Sequence, residues 1–238
     1  MAAEGLQVTG LVAGWGDTVI VEDVSFDVPA GGRLAVLGRN GVGKTTLFSA
    51  LTGIARRRSG SIILGETDLT RTRTFERALS GLGLVPQTRD IFRSLTVEEN
   101  LLAGLKRRPR SALAEAYQLF PRLAERRSNQ GEHLSGGEQQ MLSIARAILG
   151  EPTCLLLDEP LEGLAPVICD QLMTALDALA LSGRMTIVLI EQQIRRAIDF
   201  ADWIIILERG RIVWSGEADE LNASPETIER TLGVAAMH

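Results

Sequence analysis

Nine consecutive residues, Gly38-Arg39-Asn40-Gly41-Val42-Gly43-Lys44-Thr45-Thr46, bring glycines, a lysine and two hydroxyls into one short loop. An apolar run, RLAVL, precedes them, and a helical pattern begins at about Gly43. Glycines let backbone N–H groups approach an anion without a Cβ in the way. The helix N-terminus adds about half a positive charge aimed at the same place. Lys44 is spaced to reach β- and γ-phosphates, and Thr45 to put its hydroxyl on Mg²⁺. The pattern G-x-x-x-x-G-K-[ST], set between strand and helix, is specific for nucleoside triphosphates but leaves the task open.

A second stretch, TCLLLDEP from Thr153 to Pro160, carries a pair of carboxylates to the tip of an apolar strand. Asp158 is expected to hold the Mg²⁺ shell through water. Glu159 is expected to accept a proton from the water that attacks the γ-phosphate. Neighbours on an extended segment point apart, which would let the two divide the work. In MTIVLIEQQIRRAID, Met185 to Asp199, another apolar run ends at Glu191, Gln192 and Gln193. The amide of Gln192 can donate a hydrogen bond to a phosphate oxygen but cannot become cationic. In HLSGGEQQMLSIARAI, Ser135-Gly136-Gly137-Glu138 reads as a capping box opening an amphipathic helix. Two glycines weaken such a helix, and they make sense if a second anion touches the backbone there.

The elements that must position these residues alternate between short apolar runs and helical patterns, which reads as α/β with a largely parallel sheet. Strands are expected at Leu6–Val12, Arg33–Leu37, Leu82–Val85, Cys154–Leu157, Thr186–Ile190 and Trp203–Leu207, with peripheral ones at Ser61–Leu64 and Arg211–Trp214. Helices are expected to start at Gly43, Gly136, Pro166 and Gln192, with shorter ones near Thr74 and at the C-terminus. The stretch from Val97 to Glu132 reads as helices with no strand between them. The expectation is a single domain, 1–238, with a helical subdomain at about 97–150 inserted into the α/β core.

Composition narrows the classes. A net charge of -5 over 238 residues argues against a general nucleic-acid binder. The basic clusters Arg56-Arg57-Arg58, Lys106-Arg107-Arg108 and Arg126-Arg127 read as solvated faces. Cys154 lies in the apolar run CLLL, where a buried inert thiol is the default, and two cysteines make no disulfide framework. The N-terminus lacks the basic and apolar regions of a signal peptide. No apolar stretch approaches the roughly 20 residues that cross a bilayer.

With these motifs in this order, the chain resembles the ATP-binding cassette family of P-loop NTPases, whose signature is L-S-G-G-[EQ]-Q. The resemblance covers nearly the whole chain. It implies ATP and Mg²⁺ as ligands and a mixed-sheet core with an inserted helical lobe. It implies that Ser135, Gly136 and Gly137 close on the γ-phosphate held by a partner's cradle. Trp15, in the loop after the first strand, is similar to the adenine-stacking aromatic. Gln87 is similar to the glutamine that touches Mg²⁺ and reports nucleotide state to the helical lobe. Arg89 to Leu95 would then border a groove for a membrane subunit's coupling helix.

Two positions depart from the family pattern. Gln192 stands where most members have a histidine on the γ-phosphate, and Ala165 in LEGLAP lacks the usual aspartate. Both forms, with SLTVEENL, LFPRLAERR and EGLAPVI, resemble the smaller ATPase subunit of branched-chain or hydrophobic amino-acid importers. Urea and short-amide importer ATPases are similar. The resemblance implies a second ATPase subunit, as homo- or heterodimer, permeases in the membrane and an extracytoplasmic binding protein that delivers solute. Its place would be peripheral, on the cytoplasmic face of the inner or plasma membrane. Rival readings are a DNA-repair or translation ATPase and a regulatory module that holds ATP without hydrolysing it. The short helical lobe, the single cassette and Glu159 argue against them.

Overall fold

The computed structural model describes residues 2–233; the outermost residues of the expected 1–238 domain lie outside that range. In chain order the elements are β1 (Leu6–Trp15), β2 (Thr18–Val28), β3 (Arg33–Leu37), α1 (Lys44–Leu51), β4 (Arg56–Leu64), β5 (Thr67–Asp68), α2 (Thr74–Leu79) and β6 (Leu82–Val85). There follow α3 (Val97–Gly104), α4 (Leu113–Leu119), α5 (Pro121–Glu125), α6 (Gly136–Leu149), β7 (Cys154–Asp158), α7 (Pro166–Leu181) and β8 (Thr186–Ile190). The last described elements are α8 (Ile194–Phe200), β9 (Trp203–Glu208), β10 (Arg211–Glu217), α9 (Ala218–Asn222) and α10 (Pro225–Leu232).

Two sheets form. One has the order β10-β9-β3-β8-β7-β6, parallel except for β10 on its edge. The other, β2-β1-β4-β5, is antiparallel throughout. Leu6–Val12, expected among the main strands, and Ser61–Leu64, expected as peripheral, are therefore strands, but both belong to a separate antiparallel sheet rather than to the parallel one.

Strand periodicity decides the layers. In β7 and β8, Cys154, Leu156, Val188 and Ile190 face one core, which they share with α1 and the antiparallel sheet. Leu155, Leu157, Ile187 and Leu189 face the other, shared with α6, α7 and the helices between β6 and β7. A parallel sheet covered on both faces reads as continuous apolar runs, as these strands do. Helix α1 is enclosed between the sheets, with Leu47, Phe48 and Leu51 fully buried against them. Burial pushes the Cys154 thiol up to about 12, so it is an unreactive core group.

Candidate active site

Four segments leave the carboxyl ends of β3, β6, β7 and β8, and the parallel register sets those ends side by side. They carry the Gly38–Thr46 loop, Gln87, the Asp158-Glu159 pair and Glu191-Gln192. A crevice at these strand ends is where open α/β sheets bind ligands.

The loop fits an anion by its backbone. A Cβ on Gly38 would lie 2.5 Å from the Leu207 carbonyl oxygen, and Gly43 holds φ 110, so glycine is required at both. Helix α1 has no side-chain cap and no acidic residue in its first turn, which leaves its N–H groups and positive end open to a ligand. Lys44, nearly buried, lies back along the loop and donates to the carbonyls of Gly38 at 2.8 Å and Arg39 at 3.2 Å.

Glu159 is the meeting point. One carboxylate oxygen is 3.2 Å from Lys44 Nζ, in an ion pair with both groups buried. The other accepts from Gln192 Nε2 at 2.5 Å and from Gln87 Nε2 at 3.5 Å. Asp158 points elsewhere, accepting from the Thr45 hydroxyl at 3.4 Å. The two carboxylates do diverge, but strand alternation is not the reason. Strand β7 stops at Asp158, and Glu159 takes a left-handed φ of 48 while its N–H donates to Ile190 O at 3.0 Å. That kink aims the side chain, in a conformation uncommon for a residue with a Cβ.

Burial raises the Asp158 carboxyl to about 6, against the pull of the Thr45 hydroxyl. A bound cation would reverse that shift. Asp158 and Thr45 are hard oxygen donors side by side, which suits Mg²⁺, an ion that takes one or two carboxylates and completes its shell with phosphate and water. No cluster of three acidic, histidine or cysteine side chains that could hold a metal exists among the described residues.

Two acids were not singled out from the sequence. Glu191 is 2% exposed. Its carboxylate accepts from the N–H groups of Leu161 at 3.0 Å, Gln192 at 3.0 Å and Gln193 at 3.3 Å. It thereby ties the loop after Glu159 to the turn that carries Gln192. Burial raises its carboxyl, partly offset by those three donors. Gln193 holds φ -79 and ψ 85, outside the helical region, and α8 begins at Ile194 rather than at Gln192. Glu162 accepts from Gln87 Nε2 at 2.6 Å, so the loop that carries Ala165 presents a carboxylate to Gln87. An acid closing an apolar strand was the available signal for Glu191.

Trp15 is the last residue of β1, not part of a following loop. Its ring is about half exposed, and its indole N–H donates to Thr46 Oγ1 at 3.3 Å, which sets an open aromatic face beside the cradle. Ser135, Gly136 and Gly137 stand apart. No hydrogen bond among the described residues joins them to the cradle, Asp158, Glu159 or Gln192. Ser135 Oγ accepts from Glu138 N at 3.3 Å and Glu138 returns the bond at 2.8 Å, completing the capping box. Gly137 has a packing reason as well: a Cβ there would lie 2.7 Å from Ile168 Cγ2.

Beyond Gln87 lies a groove of about 430 Å³ lined by Ile54, Arg77, Ala78, Phe92, Lys106 and Arg146, with the Arg146 guanidinium 4.9 Å from the Phe92 ring. Ile54 and Phe92 are exposed in it, and Phe75 and Leu79 are exposed on α2, whose Thr74, Arg77 and Ala78 line it. No helix among the described residues is long and apolar enough to cross a membrane.

Comparison with known proteins agrees with this geometry. Residues 21–162 match the family described as ABC transporter. The chain is 37% identical over 223 residues to the high-affinity branched-chain amino acid transport ATP-binding protein BraG of Pseudomonas aeruginosa, covering 92% of this chain and 95% of that one. It is 32% identical to the lipopolysaccharide export system ATP-binding protein LptB of Acidithiobacillus ferridurans, covering 97% and 98%. A crystal structure of an ATP-binding cassette of an ABC transporter in its ADP conformation superposes with a TM-score of 0.83 at 24% identity, covering 96% of each chain, a likeness of fold.

Proposed function

The chain belongs to the ABC transporter family and is an ATP-binding, ATP-hydrolysing transport subunit, and from that premise we propose that it powers an importer of branched-chain or other hydrophobic amino acids. The 37% identity to a branched-chain amino-acid transport ATPase, across nearly the full length of both chains, supports the solute class. The observation that carries the site is the convergence of Lys44, Gln192 and Gln87 on the buried Glu159 carboxylate.

In this reading the whole chain is one nucleotide-binding domain with a helical lobe at about 97–150. Residues Gly38 to Thr46 cradle the triphosphate and Trp15 stacks on adenine. Lys44 leaves Glu159 to grip the β- and γ-phosphates. Glu159, released, orders the attacking water and takes its proton. Gln192 keeps one donor on the γ-phosphate and, through Glu159, links phosphate and water. Mg²⁺, held by Thr45 and Asp158 with Gln87 nearby, would supply charge neutralisation on the phosphate oxygens. Ser135, Gly136 and Gly137 cap the ATP of a second ATPase subunit, so that two chains, alike or different, close face to face. The closed pair alone makes those contacts, and only such differential binding can drive a conformational change. The groove beside Phe92 receives a permease segment and holds the chain at the cytoplasmic face of the membrane. An extracytoplasmic protein delivers the solute.

The 32% identity to a lipopolysaccharide export ATPase supports a second reading, in which the same engine serves export. Purification of the chain with its membrane subunits, followed by ATPase assays in vesicles, separates the two. Leucine, isoleucine or valine with their binding protein should stimulate turnover. Stimulation by urea or short amides, or by lipopolysaccharide alone, would replace the amino-acid assignment. In the same complex Gln192→Ala should lower kcat by roughly tenfold or more, as loss of a charged-partner hydrogen bond predicts; unchanged turnover would remove Gln192 from the site.

A further inference from the structure

The segment after Gln87 carries a cation that the reading above does not use. Arg89 and Asp90 hold left-handed backbone angles, φ 67 and φ 47, which are unfavourable for residues with side chains. Local bonds fix them. The Arg89 N–H donates to Pro86 O at 2.9 Å, and the Thr88 hydroxyl to Asp90 Oδ1 at 2.7 Å. From α6, Ser143 Oγ donates to Arg89 O at 2.6 Å, and Arg146 Nη2 to Asp90 O at 2.5 Å.

The consequence is where the Arg89 side chain ends. A Cβ placed on Gly136 would lie 3.2 Å from Arg89 Nη1, 3.6 Å from Nη2 and 3.7 Å from Cζ. The guanidinium therefore lies against the first residue of α6, in the space that a side chain at 136 would fill. Among the described residues it makes no side-chain hydrogen bond or ion pair. Glu138, the acid in the first turn of α6, instead pairs with Arg122 at 3.1 Å and Arg126 at 3.4 Å.

A cation set against the positive end of a 14-residue helix is repelled by it. One anion touching both reverses the sign of that interaction. The planar guanidinium offers paired donors that match phosphate oxygens. The Ser135 hydroxyl and the N–H groups at the start of α6 supply the remaining donors. We propose that Arg89 is a phosphate-binding residue, donating to the γ-phosphate that a partner chain presents to Ser135, Gly136 and Gly137. The assignment rests on the paired-chain reading of the site and adds to it a residue remote from the signature in sequence.

Titration of the whole chain with tripolyphosphate, followed by amide NMR, tests it. Gly41 and Gly43 report the cradle, and Gly136 and Gly137 report the lid. The lid amides should shift and saturate. Arg89→Gln should weaken that saturation by roughly tenfold or more, Arg89→Lys by less, and both should leave the cradle response unchanged. No lid response, or one unaffected by Arg89→Gln, overturns the proposal. Sedimentation of the Glu159→Gln chain with ATP and Mg²⁺, alone and with its co-purified ATPase partner, separates this from the wider reading. If the chains associate and adding Arg89→Gln changes nothing, the Arg89 assignment falls alone. If they never associate while Arg89→Gln still weakens lid binding, Arg89 stays a phosphate ligand and the paired-chain reading falls.

Discussion

Helices α1 and α6 both begin beside glycines, and their first turns are finished in opposite ways. Helix α1 has neither cap nor acid in its first turn; the charges nearby, Lys44 and Glu159, are buried and neutralise each other. Helix α6 has a full capping box, and its acid is taken up by Arg122 and Arg126. Ser135 is exposed, and no bond ties it to the rest of the site. The first arrangement needs only a ligand to exchange partners with. The second is complete as a helix end and makes no hydrogen bond to the cradle of its own chain. The two helix ends can thus be told apart by which groups already satisfy them.

Breaking the neutral pair should have the largest effect. Glu159→Gln should lower ATP turnover in the complex by about 10² to 10⁴. It should also leave Lys44 buried without its counter-charge, so the nucleotide-free chain loses about 3 kcal/mol of stability. ATP binding, measured by calorimetry on the isolated chain, should tighten, because the lysine no longer has to leave a carboxylate. Weaker or equal binding would mean that Lys44 and Glu159 do not compete with phosphate.

Glu191→Gln sharpens the cradle side. The amide NH₂ would replace one of the two accepting oxygens and oppose either the Leu161 N–H or those of Gln192 and Gln193, costing about 1–3 kcal/mol in urea unfolding and loosening that side of the tie. A pH signature accompanies it. Burial holds the Glu191 carboxyl above its ordinary range, so the folded chain keeps that proton to higher pH than the unfolded chain. The stability from that proton is fully present below about pH 4.3 and is lost as pH rises through the raised folded value. Glu191→Gln should remove this downward slope, while Asp158, also raised by burial, keeps a slope of the same sign up to about pH 6. An identical pH profile in the variant would exclude Glu191 as its source.

The smallest effect separates two neighbours on the lid. Gly137→Ala meets the branched side chain of Ile168 and should cost about 1–3 kcal/mol in thermal unfolding. Gly136→Ala meets only the tip of Arg89, which can swing aside, and should cost less. The reverse order would mean that the Arg89 guanidinium is held as firmly as the core.

What was legible in the sequence follows the same physics. The parallel strands were readable because burial on both faces makes them unbroken apolar runs. Strand β2 was not. Val21 and Val24 are both buried, three apart, because Asp23 takes a left-handed φ of 53 and breaks the alternation. Only Val24, Phe26 and Val28 keep the period of two. Strand β5, two residues long, carries no pattern. At the site, loop spacing was enough to locate Lys44 and Thr45, and strand ends to locate Asp158 and Gln192. Glu191, Glu162 and the kink at Glu159 depend on loops from distant parts of the chain meeting, which no local window contains.

Enclosure of α1 between two sheets has a mechanical consequence. Pull arriving through Lys44 and Thr45 is shared by both layers, with Phe48 and Leu51 as the wedge, and this end of the molecule is stiff. The joint at Gln87 to Asp90 is held differently, by side-chain hydrogen bonds and two left-handed residues rather than by a packed core, so load crossing it would be borne by those few polar bonds.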